Sequence, residues 1–133
     1  MSEVSLIRVP TLADAPYAYA STVPASARLI FMAGACPLDR NGIVVAPGDF
    51  EAQASQCLDN LVEALAAAGA ELTDVVTTRV LVASGDRADL SSVWSVVSSR
   101  FADHDVPSTL IGVAVLGYEG QLVEIEATAA LAE

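Results

Sequence analysis

The chain has 133 residues, 53% hydrophobic and 17% charged, which is too apolar for disorder and the right length for one domain around one core. No apolar run approaches the roughly 18–20 residues of a membrane helix, so a soluble chain without a membrane partner is expected. Seventeen acidic residues face six arginines and no lysine, a formal charge of -11 that offers no basic patch for phosphates and argues against nucleic acid.

In chain order, Met1 to Ser5 carries neither a basic patch nor an apolar stretch of signal-peptide length, which makes a cytoplasmic location the expectation. Ser5 to Val9 reads as a first strand, followed by a loop through Pro10, Asp14 and Pro16. Tyr17 to Ser21 reads as a second strand and Arg28 to Gly34 as a third, nearly all apolar, with the two expected to form a hairpin. Asn41-Gly42 between extended residues predicts a two-residue type I′ turn. Asp49 is a candidate N-cap for a helix from Phe50 to Ala68, because Ala54, Leu58, Leu61, Leu65 and Ala68 recur every three or four residues and Gly69 fits a C′ stop. The β-branched run Val75 to Val82 predicts a strand. Asp86 can cap a second helix that ends near Asp103 and carries Leu90, Val93, Trp94, Val97 and Phe101 on one stripe. Thr109 to Leu116 and Gln121 to Ala130 complete a β-β-β-α-β-α-β-β order.

No linker or repeat divides the chain, so residues 1–133 are expected to form a single α+β domain. Two helices of this length cover one face of a sheet. Leu29 to Ala33, Val75 to Val82 and Leu110 to Leu116 are nevertheless apolar on both alternations, which predicts association through the uncovered face. Cys36 and Cys57 stand 21 residues apart with no metal-ligand cluster around them and are expected as free thiols. Arg79 lies mid-strand on the alternation of Thr77 and Leu81. A buried arginine there needs an acidic partner, Glu124 or Glu126, or else an anionic ligand. Those two glutamates share one strand face, opposite Val123, Ile125 and Ala127, where a carboxylate can act as a general base or simply form a salt bridge. His104 sits between Asp103 and Asp105 in a polar stretch and reads as a surface-loop residue.

Several segments together are similar to one known family: Ala15-Pro16-Tyr17, the run from Met32 to Asp39, the run from Asp49 to Gln53, Leu58 to Leu61, Ala67 to Ala70, Asp74 to Val76, and Val123 to Ala127. The chain resembles the Rid/YjgF family, also labelled endoribonuclease L-PSP. The resemblance implies a chorismate-mutase-like fold with a mixed six-stranded sheet and two helices on one face. It also implies a homotrimer with three ligand clefts between subunits, and hydrolysis of reactive imines and enamines without metal or cofactor. Carried over by position, the family's cleft tyrosine falls on Tyr17 and its last-strand glutamate on Glu124. Its serine becomes Ala33, its glutamine Ala35, and its carboxylate-binding arginine Thr109, within Pro107-Ser108-Thr109.

A guanidinium grips a carboxylate through two parallel charge-assisted bonds that a threonine hydroxyl cannot reproduce, and losing one side of such a buried pair costs roughly 2–5 kcal/mol. The expectation is therefore a RidA-like protein acting on a small imine or enamine metabolite, with Glu124 as base and Tyr17, Ala33, Arg79 and Thr109 around the ligand, and inefficient with 2-aminoacrylate. The alternative is a non-catalytic ligand-binding or regulatory module of the same fold. A ribonuclease reading conflicts with the charge. Cys36, next to the cleft glycine, reads as an inert small hydrophobe, and Tyr118 and Glu119 as residues that reshape the cleft mouth.

Overall fold

Apolar side chains from two helices and one sheet face enclose the core in the computed structural model, which describes residues 2–132. The strands are β1 (Ser5–Ile7), β2 (Ala20–Thr22), β3 (Arg28–Phe31), β4 (Val75–Val82), β5 (Ser108–Gly112) and β6 (Val123–Leu131). The helices are α1 (Phe50–Ala67) and α2 (Arg87–Phe101), and the element order matches the expected one apart from a short 3-10 turn at Leu72–Asp74.

Both helices begin and α1 ends for the reasons legible in the sequence. The Asp49 side chain accepts from the Ala52 amide at 3.0 Å, and the Asp86 side chain accepts from the Ala88 amide at 2.9 Å. Gly69 adopts φ 83°, so the Ala70 amide reaches the Leu65 carbonyl and the Gly69 amide the Ala66 carbonyl, both bonds of a Schellman stop. Leu58, Leu61 and Leu65 of α1 pack with Val93, Val97 and Phe101 of α2 in the same core as Val80, Val82, Val123 and Ile125 of the sheet.

The six strands hydrogen-bond as a four-stranded sheet, β3-β6-β4-β5, and a separate two-stranded ribbon, β1-β2, rather than as one continuous ladder. The ribbon is tied to the sheet where the Ser21 hydroxyl donates to the Val76 carbonyl. The β2–β3 hairpin expected from adjacency does not form: β2 pairs with β1, and β3 runs antiparallel to β6, Arg28 opposite Leu131 and Phe31 opposite Thr128. Neighbouring strands share a turn at little entropic cost, but β3 gains a long apolar partner in β6, which takes β3 on one edge and β4 on the other.

Other details differ as well: β1 stops at Ile7 rather than Val9, β2 is shifted from Tyr17–Ser21 to Ala20–Thr22, which leaves Tyr17 in the loop before it, and β3 stops at Phe31 rather than Gly34. Gly42 alone adopts positive φ in its turn and its amide bonds to the Asp39 carbonyl, so the loop is a three-residue turn with a left-handed glycine, not type I′. Its Asp39 carboxylate accepts from the Asn41 and Ile43 amides, which favours the longer loop. β5 stops at Gly112, where a Cβ would lie 2.7 Å from the Ser84 carbonyl, and Val115 beyond it is 78% exposed. Gln121 lies before β6 and folds back on it.

Alternation in β6 sends Val123, Ile125, Ala127 and Ala129 into the core and sets Glu124, Glu126 and Thr128 on the face away from the helices. Across that face Thr77, Arg79 and Leu81 of β4 oppose Thr128, Glu126 and Glu124, and Thr109 and Ile111 of β5 oppose Arg79 and Leu81. Leu29 and Phe31 of β3 complete it, the latter 78% exposed. The uncovered face is thus apolar at its β3 edge and mixed elsewhere.

Candidate functional site

Glu124 is the most constrained side chain on that face. Its Oε1 accepts from the Cys36 thiol at 3.2 Å and from Gln121 Nε2 at 3.2 Å. Its Oε2 lies over Gly34, where any Cβ would be only 2.5 Å away. The approach is possible because pairing between β3 and β6 slips: Ala35 bonds to Ile125 while Phe31 faces Thr128, so one extra residue bulges at Ala33-Gly34.

Burial first, then its hydrogen bond to Glu124 and that carboxylate's charge, push the Cys36 thiol up to about 11, while a hydrogen bond from Gln121 pulls the other way. Cys36 is therefore a protonated donor at neutral pH. Cys57 is fully buried, which pushes its thiol up further, and its sulfur donates to the Val123 carbonyl.

The expected site residues fall in three places. Ala33 lines a cavity of about 280 Å³ with Gly34, Cys36, Leu38, Asn60 and Tyr118, beside Glu124. Tyr17 and Thr109 line another of about 470 Å³ with Pro16, Trp94, Ser108 and Leu110. Arg79 opens on a smaller one of about 180 Å³ and sits 3.6 Å from Glu126, so Glu126 is its acidic partner. Its side chain is 53% exposed, which corrects the buried position inferred from its apolar neighbours. Thr109 and Glu124 share a face two strands apart and two residues out of step, a Cα separation of about 12 Å by strand spacing. One chain thus carries two separate candidate half-sites: an acidic one at Gly34 and an aromatic, hydroxyl-bearing one at Tyr17, whose ring stacks edge-on against Tyr19 at 5.9 Å.

Two contacts of the acidic half were not legible. Cys36 touches the carboxylate instead of filling a gap, and Gln121, expected within the last strand, reaches forward three residues. Gly120 at φ 81° is the one sequence signal for that fold-back. His104 is part-buried with Nε2 against the Val75 carbonyl, apart from either half-site. No cluster of three His, Cys, Asp or Glu suited to a metal occurs among the described residues.

Fold and half-sites define a small α+β protein with an acidic group poised over a glycine on an open sheet face. The endoribonuclease L-PSP family model matches residues 11–131. A mouse 2-iminobutanoate/2-iminopropanoate deaminase is 35% identical over 95% of this chain and 88% of its own. Protein DfrA of Myxococcus xanthus is 32% identical over 86% of this chain and 84% of its own. Among solved structures, the Rid-family protein YyfB of Yersinia pestis superposes with a TM-score of 0.90 at 32% identity, covering 97% of this chain and 99% of that one. Escherichia coli TdcF with bound serine gives 0.68 at 25% identity, covering 96% and 99%. The chain belongs to the endoribonuclease L-PSP family, the Rid/YjgF proteins.

Proposed function

We propose that this protein hydrolyses a small imine or enamine in a cleft completed by a second copy of the chain, with Glu124 as general base, and that its substrate carries no carboxylate. The observation that carries the reading is the Glu124 carboxylate seated over Gly34 with Oε2 turned away from its two donors. A carboxylate there can take a proton from water as the oxygen attacks the C=N carbon. The resulting carbinolamine collapses to carbonyl compound and amine, with the abstracted proton returned to nitrogen. The deaminase names of the relatives support the reaction class.

Two features favour a substrate without a carboxylate. Thr109 stands where the resemblance puts a guanidinium, no side chain lining either half-site cavity is cationic, and Arg79, opposite Thr109, is paired with Glu126. A formal charge of -11 adds a repulsive field against anions. The two half-sites and the exposed Leu29 and Phe31 support assembly through the uncovered face, and the family resemblance favours a homotrimer as that assembly.

The test pairs two imines that differ only in the carboxylate, generated in situ by an amino-acid oxidase from phenylalanine and by a flavin amine oxidase from 2-phenylethylamine. Hydrolysis is read as the initial rate of ammonia release above the uncatalysed rate, by a coupled glutamate dehydrogenase assay. The carboxylate-free imine is expected to be hydrolysed well above background, with a fall of about 10² or more in Glu124→Gln. Thr109→Arg is expected to raise the rate on the imino acid by about thirty-fold or more. No acceleration of either imine by the wild type sinks the reaction and leaves the binding-module reading.

A further inference from the structure

We infer that Cys36 and Gln121 are positioning residues for Glu124, holding Oε1 so that Oε2 alone is presented above Gly34. The inference rests on the reading of Glu124 as the base.

A glutamate on an open strand has three rotatable bonds and two equivalent oxygens, so an unrestrained carboxylate would present either oxygen over a wide arc. Here one oxygen is taken. Cys36 and Gln121 both donate to Oε1, each at 3.2 Å, and they come from opposite sides of the chain's course: the segment after β3 and the turn before β6.

The donor role of Gln121 follows from its surroundings. Its own Oε1 accepts from the Tyr118 amide at 3.1 Å, which forces Nε2 to the other side, where it donates to the Val123 carbonyl at 3.0 Å and to Glu124. The side chain is 3% exposed, so it has no water to turn toward and the orientation is locked. Cys36 is a donor because its thiol stays protonated through the neutral range. The glycine at 34 supplies the third constraint: it leaves space for Oε2 and nothing else, since an added Cβ would also lie 2.8 Å from the carboxyl carbon. Two donors and one missing methyl therefore select a single rotamer and a single basic oxygen, the condition for a base to act without first being oriented.

Two measurements on the full chain test this, one of them independent of turnover. Iodoacetamide labelling of the Cys36 peptide, followed by mass spectrometry between pH 7 and 10, reads the thiol. Burial is the largest cause that raises it and Glu124 supplies the next two, so at pH 9 Glu124→Gln should label measurably faster than wild type. Equal labelling means the contact is absent and overturns the proposal whatever the enzyme does.

On the carboxylate-free imine, Cys36→Ala and Gln121→Ala are each expected to lower kcat about ten-fold with KM within about two-fold, because they act chiefly by misplacing the base. Cys36→Ser, whose hydroxyl can donate to the same oxygen, should restore most of the loss. A serine variant as slow as the alanine one, or a loss carried by KM, overturns the positioning role. If the wild type hydrolyses no imine while the labelling difference is present, the reaction assigned to the site falls and the clamp on Glu124 stands.

Discussion

Replacing Gly34 by alanine puts the fit between Glu124 and the β3 bulge to a direct test. The new methyl would lie 2.5 Å from Oε2 where ordinary contact begins at 3.4 Å. The carboxylate must therefore retreat by about 0.9 Å. A free glutamate would swing aside at little cost, but Oε1 is bonded to both Cys36 and Gln121, so retreat stretches or breaks those bonds. Crowding of this kind costs about 1–3 kcal/mol. For a chain of this length that is a fall in Tm of roughly 4 °C per kcal/mol. A base displaced by about 1 Å loses on the order of 10² in rate. Gly85→Ala is the control, because a Cβ there meets nothing within 4 Å and its Tm and kcat should stay at wild-type values. Differential scanning fluorimetry and imine hydrolysis at 25 °C read both effects. A Gly34→Ala protein that melts and turns over like Gly85→Ala would refute the tight seating of Glu124.

Three further outcomes are expected. Phe31→Glu places a charge on the most exposed part of the apolar β3 edge, so sedimentation should show an associated wild type and a monomeric variant; a wild type that is monomeric at high micromolar concentration refutes assembly through this face. Asp49→Ala removes the N-cap of α1 and should lower the urea-derived stability by about 1 kcal/mol, with a loss below ~0.3 kcal/mol counting against the cap. Cys36 is raised from an ordinary 9.0 to about 11, so its neutral form stabilises the fold below pH 9 and that contribution is lost as pH climbs toward 11. Cys36→Ser should accordingly show a shallower fall in urea midpoint between pH 9 and 10.5 than wild type, and an identical slope would contradict the shift.

What could be read in advance was local. Caps at Asp49 and Asp86, the stop at Gly69 and the exact span Val75–Val82 follow from side chains and their immediate neighbours, and all four are present. The pairing of β3 with β6 is set by partners about a hundred residues apart, for which alternation gives no register, so the hairpin with β2 was the wrong economy. The same limit applied to the site. Period-two alternation puts Glu124 and Glu126 on one face but leaves either of them, or an anionic ligand, as the partner of Arg79; the register between β4 and β6 chooses Glu126. The bulge at Gly34 and the return of Gln121 depend on a strand slip and a turn, and neither leaves a periodic trace.

The strand order β3-β6-β4-β5 also has a consequence for how the chain is made. β6 leaves the ribosome after every other described strand, yet it is the one that joins β3 to β4. Until it emerges, β3 and β4 each present an unpaired edge beside exposed apolar side chains, the condition under which nascent chains adhere to one another. Glu124 rides on that same last strand, and Gly34 and Cys36 have nothing to hold before it arrives. A partly synthesised chain therefore has neither a closed sheet nor a seated carboxylate, and both come into being in one closing step.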